Sequence, residues 1–335
     1  MRAVQVIEPT GPADVRVVEL PDPEPGPGEV LVEVHAVGVS FPDLLLSKGR
    51  YQLRPEPPFT LGVDVAGTVV SSGPTDGPTD APTPEPGTRV AAVVPYGGAA
   101  ELAVVPASAV LPLPERLSYA EGAALPMNYL TALFALRQRG RVRPGETVLV
   151  HGAAGGVGTA TLQVARAIGA RAIGVTSTPE KARFARDAGA DEVVLLEHFR
   201  DEVHGLTDGR GVDVVVDVVG GDSFTDSLRC LAEQGRLLVV GFAAGQGIPE
   251  VKVNRLLLNN VDVRGVGWGA FALSKPGFMQ EQWRDLLPMI DSGAVAPPIG
   301  ATYRLEDFGQ ALVDLEARRT LGKSVAEVRS VTPPA

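Results

Sequence analysis

The stretch "VLVHGAAGGVGTATLQVARAIGA", residues 148–170, restricts the folds open to this chain more than any other. An apolar run, Val148-Leu149-Val150, stops at His151; glycines crowd residues 152–158, and a helical rhythm starts at Gly156. Glycine lets a backbone take positive φ and approach a ligand with no Cβ in between. A helix starting at Gly156 and Val157 presents unpaired N–H groups and the positive end of its dipole, which suits a pyrophosphate. A glycine turn alone says little. Here it follows a buried strand, opens a helix and sits among repeated strand–helix units, the context of a dinucleotide site.

From residue 125 onward the pattern alternates. It predicts a helix at 126–140, then strands at 147–151, 172–176, 191–196, 212–218, 236–241 and 261–269. Helices at 156–169, 179–188, 198–205 and 223–232 separate the first five strands. The strand runs are nearly all apolar, as in "VDVVVDVVG" at 212–220, which suits a parallel sheet covered on both faces. Six strands in two halves predict a Rossmann doubly wound sheet. The first 110 residues read instead as strands and turns, with strands at 29–40, 63–73 and 88–94. "PTDGPTDAPTPEPG", residues 74–87, carries a small GPTD repeat and reads as an exposed loop extension. After 270 come a helix at 278–293, a strand near 300–303, a helix at 305–319, a strand at 323–328 and a frayed tail, "SVTPPA". At 335 residues the chain is long for one core, so two domains are expected.

Composition narrows the partners. Forty acidic residues against thirty basic give a net charge of −10. That disfavours nucleic acid and anionic membrane surfaces, which need a basic face. No apolar run approaches the ~18–20 residues of a membrane span. The beginning, "MRAVQVIEPTG", meets Glu8 and Pro9 before any long apolar stretch and does not read as a signal peptide. The single cysteine, Cys230, permits no intramolecular disulfide and no cysteine-rich zinc site, and fits a reducing cytoplasm. The four histidines, His35, His151, His198 and His204, show no ligand spacing, and His151 reads as a satisfied structural residue.

The end of the second predicted strand selects the dinucleotide. An NAD-selective site carries an acid about 20 residues past the glycines, to hold the ribose hydroxyls. Here the stretch is "VTSTPEKAR", and Thr176, Ser177 and Thr178 stand where that acid would be. Hydroxyls, with Lys181 and Arg183 nearby, accept a 2′-phosphate that a carboxylate would repel, so NADPH is expected over NADH.

With these pieces in place, the chain resembles the zinc-independent quinone oxidoreductase (zeta-crystallin-like) branch of the medium-chain dehydrogenase/reductase superfamily. The landmarks are "VHAVGVSFPDLLLSKGRY" (34–51), "LGVDVAGTV" (61–69), "LPMNYLTALFAL" (125–136), the glycine turn, "VVVDVVGG" (214–221), "GRLLVVGFAAG" (235–245) and "RRTLGKSV" (318–325). The resemblance implies a GroES-like β-rich domain from 1–124 and 269–335, with the Rossmann domain inserted at 125–268. It implies that Ser40, Asp43 and Tyr51 lie at the reacting end. Thr131, Gly155, Gly156, Val157, Thr176, Ser177, Lys181, Gly241, Phe242, Trp268 and Arg318 are expected to bind cofactor. It also implies a homodimer paired through the sixth strand, 259–268. Zinc alcohol dehydrogenases of the same superfamily place a cysteine ligand where this chain has Ser40, and a His-Glu pair at Val63-Asp64.

Zn²⁺ wants three protein ligands of S, N or O type, and Val63 supplies none. Without a Lewis acid, taking hydride from an alcohol is hard. Giving hydride to an electron-poor acceptor is not. The expected activity is therefore NADPH-dependent, metal-free reduction of a quinone. The alternative on the same scaffold is reduction of an α,β-unsaturated carbonyl, an alkenal or enoyl thioester. A third reading is a cofactor-binding protein without turnover. The expected partners are a small-molecule quinone or enone, with no nucleic acid and no membrane.

Overall fold

The computed structural model describes residues 1–74 and 84–329, and the chain in it divides into two compact units. One comprises Met1–Met127, Pro276–Trp283 and Ile299–Ala335; the other comprises Asn128–Lys275 and Arg284–Pro298. The return from the second unit thus comes at Pro276, later than 269. Arg284–Pro298 goes with the Rossmann unit because Gln163, on the helix after the glycine turn, clamps it. The Gln163 amide donates to Ala296 O (2.8 Å), and its oxygen accepts from Ala296 N–H (3.0 Å) and from the Tyr129 hydroxyl (2.6 Å).

The Rossmann unit holds a six-stranded sheet in the order Glu192–Leu195, Arg171–Thr176, Thr147–His151, Val212–Asp217, Leu231–Val239, Asp262–Gly265. Every pairing is parallel. The order reverses beside Thr147–His151, the switch point outside which such sheets bind ligands. Leu149, Ile173, Val215 and Leu237 are fully buried, as two-face coverage requires.

Several elements differ from the sequence pattern. The helix expected at 223–232 ends at Arg229, because the next strand starts at Leu231, which pairs with Val212 ahead of a register shift. The sixth strand stops at Gly265, and Trp268 opens a helix, Trp268–Leu273. The helix at 126–140 is there, but Thr131–Leu133 alone is α-type, flanked by π-type turns at Pro126–Leu130 and Phe134–Gly140. Most of the loop extension expected at 74–87, residues 75–83, lies outside the described residues, as does the tail from 330.

The other unit is built on a sheet ordered Ile299–Arg304, Lys323–Glu327, Glu29–Gly38, Asp64–Ser72, Arg89–Val93, Val110–Pro112. Leu102–Pro106 also pairs with Glu29–Gly38. The C-terminal strand lies antiparallel to an early one, with Val325 opposite Gly38, and Gly38 stands opposite Asp64. That register sets Lys323, Ser40 and Asp64 at one end of three neighbouring strands, though they are far apart in sequence. No helix among the described residues is long and apolar enough to cross a membrane.

Candidate active site

The glycine turn is built for close approach. Gly152 takes φ 63°, and Gly155 caps the helix Gly156–Ile168. A Cβ on Gly158 would sit 2.1 Å from Gly152 O and 2.8 Å from Ala153 Cα, so this glycine lets the helix lie directly on the turn. A Cβ on Gly155 would have its nearest heavy atom, Gly152 O, at 3.4 Å, so that face is open. Gly155, Gly156 and Val157 are half-exposed, and the first-turn N–H groups there have no helical acceptor. This arrangement fits a pyrophosphate.

Around the turn, the carboxyl edge of the sheet carries Thr176, Ser177, Lys181, Gly241 and Phe242. Thr176 ends its strand and is buried, and Ser177 and Thr178 are exposed. The Thr178 hydroxyl accepts from Lys181 N–H at 3.2 Å, fixing Lys181 in the first turn of the helix Pro179–Asp187. Gly241 and exposed Phe242 follow the fifth strand. Thr131 and Trp268 are buried, at 7% and 3% exposure, so they belong to the wall of this unit. Arg318 lies in the other unit, exposed, with φ 57° past the helix Phe308–Glu316.

His151 is satisfied at one nitrogen. Ser227 Oγ donates to Ser223 O (2.8 Å), so the ring Nε2–H is the donor to Ser227 Oγ (2.8 Å). Its Nδ1 is buried without a partner, and burial lowers its pKa, leaving a neutral imidazole. At the end of the adjacent strand, Asp217 Oδ1 accepts the Val219 and Gly220 N–H groups, both at 2.8 Å, and shapes the following turn.

In the other unit lies a cluster of polar side chains that is legible in the sequence only in part. Ser40 precedes the helix Phe41–Ser47 and is 4% exposed. Its hydroxyl donates to Asp64 Oδ2 at 2.7 Å. The Lys323 ammonium donates to both, at 2.5 Å to Ser40 Oγ and 2.7 Å to Asp64 Oδ2. Asp64 Oδ1 accepts Met127 N–H at 2.9 Å. Asp43, fully buried, takes Gly62 N–H (2.8 Å) on Oδ1 and Ser40 N–H (3.2 Å) on Oδ2. Ser40 has therefore given its only hydroxyl proton to Asp64, and it acts here as a support. Tyr51 is half-buried; burial, then the Asp43 charge, pushes its phenol above the ordinary value.

Burial pushes the Asp43 carboxyl up to about 7; Asp64 adds to this, while the two N–H bonds and Lys323 oppose it. A folded-state pKa above the unfolded one means that the native protein keeps a proton which the unfolded chain has released. Stability from this group is complete below about pH 4 and is lost as pH rises to about 7, at about 1.4 kcal/mol per pH unit. The stability difference between wild type and Asp43→Asn is expected to shift against wild type across that window. Urea denaturation at about pH 5 and about pH 7.5 checks this, and a pH-independent difference contradicts it.

The donor set does not suit a zinc ion. Val63 has no ligand atom, the Ser40 hydroxyl and both Asp64 oxygens are hydrogen-bonded, and a cation is already in place. Among the described residues, no group of three or more His, Cys, Asp or Glu could hold a metal. Lys323, Asp64 as its partner, and Gly158 were not singled out from sequence. A lysine leading an apolar strand, "GKSVAEV", was the available signal, since a buried ammonium needs a carboxylate.

Fold and turn together define a two-unit dinucleotide-dependent oxidoreductase. Comparison with known proteins agrees. Residues 26–115 match the alcohol dehydrogenase GroES-like domain, and 156–292 match the zinc-binding dehydrogenase family. The chain belongs to the quinone oxidoreductase branch of the medium-chain dehydrogenase/reductase superfamily and is an oxidoreductase. It is 37% identical to a quinone oxidoreductase-like protein 2 of Bos taurus, over 93% of this chain and 89% of that one. It is 36% identical to a quinone oxidoreductase of Pseudomonas aeruginosa, over 94% and 96%. A mycobacterial protein solved in complex with NADPH superposes with a TM-score of 0.90 at 36% identity, covering 98% of this chain and 100% of that one.

Proposed function

We propose that this protein uses NADPH to reduce quinones without a metal ion. Bound NADPH supplies a hydride. Gly155, Gly156 and Val157 hold the pyrophosphate against the helix N-terminus. Thr176, Ser177 and Lys181 hold the 2′-phosphate. Gly241, Phe242, Thr131 and Trp268 are assigned to the nicotinamide end, and Arg318 is kept as a cofactor residue on the family resemblance alone. Solved relatives with NADPH, including an Escherichia coli quinone oxidoreductase at 29% identity and a TM-score of 0.89, support this choice.

One observation carries the acceptor class: the position where a metal would polarise an alcohol is closed by the Lys323 ammonium. With no Lewis acid, orientation and exclusion of water are what the protein supplies, and these suffice for an electron-poor acceptor. Asp43, whose carboxyl is pushed up to about 7, and the Tyr51 phenol are the groups assigned to supplying the proton that the reduced oxygen takes up. NADPH oxidation assayed across a quinone panel and a matched alkenal and enoyl-thioester panel, with NADH alongside, tests the reading. Turnover of quinones with NADPH supports it; turnover of the unsaturated carbonyls alone makes the protein an alkene reductase.

The protein acts as a homodimer paired through its sixth strand, in the reducing cytoplasm that its one buried cysteine suits. The outer strand Asp262–Gly265 ends the sheet, and Ile248, Val253, Leu257 and Leu258 just before it are 73–77% exposed. A second copy of this edge covers both features. Light scattering is expected to give twice the chain mass, and Leu257→Asp with Leu258→Asp to give the single chain mass. A monomeric wild type contradicts the dimer.

A further inference from the structure

We propose that the Lys323 ammonium is the resident cation of the reacting-end unit: it takes the place of a metal ion between Ser40 and Asp64 and sets the orientation of both. Lys323 is thus a positioning residue, acting through Ser40 on the helix that carries Asp43. This role does not depend on which acceptor the protein reduces.

Three observations support it. First, Nζ, Oγ and Oδ2 form a closed triangle at 2.5, 2.7 and 2.7 Å, in which each atom bonds the other two. The directions are determined: the ammonium donates twice, the hydroxyl accepts once and donates once. Second, the pair is deep, with side-chain exposures of 5% for Lys323 and 0% for Asp64. A charge so placed persists only with its partner. Third, the backbone makes room for the lysine stem. A Cβ on Gly38 would lie 2.7 Å from Lys323 Cε and 2.2 Å from Ala123 O. Glycine at this point of the strand Glu29–Gly38 leaves a channel that the lysine fills.

Charge follows the same logic. Two buried carboxylates, Asp43 and Asp64, share one unit positive charge. Asp64 takes the direct bond; Asp43 feels Lys323 at longer range, where it only partly offsets burial.

Lys323→Ala removes three carbons and the ammonium, the equivalent of n-propylammonium, so the test is chemical rescue. The variant is expected to melt earlier and to lose on the order of tenfold or more in kcat/KM with NADPH and a quinone. Propylammonium is expected to restore both melting temperature and turnover, whereas 1-propanol, of the same shape without charge, restores neither. Melting is read without any acceptor, so a failed acceptor assignment does not obscure the result. Equal rescue by propanol, or Lys323→Met with wild-type melting and kcat/KM, overturns the proposal. Should both variants fail to fold, 15N-lysine NMR of the wild-type protein decides. Among five lysines, one slowly exchanging Nζ is expected, and a freely exchanging Nζ at Lys323 overturns the assignment.

Discussion

Gly158→Ala is expected to weaken NADPH binding by on the order of 100-fold, about 2.7 kcal/mol. The added Cβ would fall 2.1 Å from Gly152 O, and both that atom and its neighbour at 2.8 Å, Ala153 Cα, are backbone. No side chain can rotate away, so the helix Gly156–Ile168 must lift off the turn. Its N–H groups then miss the pyrophosphate, and displacements near ~1 Å are enough for losses of this size. Gly155→Ala separates binding from folding. Gly155 has φ −91° and open space beside it, so alanine fits the free protein. If the pyrophosphate sits on this turn, the added methyl takes up space beside it, so NADPH affinity is expected to fall with no change in melting temperature. Titration of cofactor fluorescence beside thermal melts checks the pair. Wild-type affinity in Gly158→Ala contradicts the placement of the cofactor on this turn.

Asp64→Ala is expected to destabilise the protein by about 3–5 kcal/mol, the cost of leaving a buried charge without its partner. The substitution strands the Lys323 ammonium, the Ser40 hydroxyl and Met127 N–H at once. Removing both charges, as Asp64→Leu with Lys323→Met, is expected to recover much of that loss, because apolar replacements of a buried pair are often near neutral. Activity is not expected to return with it, since the Ser40 turn then lacks its partners. Urea denaturation of the two single variants and the double variant reads the coupling. A cost below about 1 kcal/mol for Asp64→Ala would mean that water, not protein, solvates this ammonium.

The sequence carried the Rossmann unit well because its strands are buried on both faces. Runs such as Val212–Asp217 leave little choice of element, and the glycine turn fixes where strand gives way to helix. Element ends were less legible. Leu231 is as apolar as a helix residue, and only its pairing with Val212 assigns it to a strand. Trp268 reads as the end of an apolar run, yet it begins a helix and is buried there.

The cluster at Ser40 was the least legible. The family resemblance supplies Ser40 and Asp43, which share one helix start. Local pattern could not give Lys323, 259 residues from Asp64 and joined to it only by the pairing of the last strand with an early one. Nor does sequence say which way a hydroxyl proton points. The resemblance puts Ser40 at the reacting end, and the neighbouring ammonium and carboxylate make it part of the support.

The central claim is reduction of a quinone by NADPH without a metal ion. Its most direct test is NADPH oxidation with a quinone acceptor by protein dialysed exhaustively against EDTA and shown by elemental analysis to be free of zinc. The account predicts the same turnover before and after dialysis, with none gained on adding zinc. Turnover lost with the metal and restored by zinc would contradict it, and with it the reading of Lys323 as the resident cation.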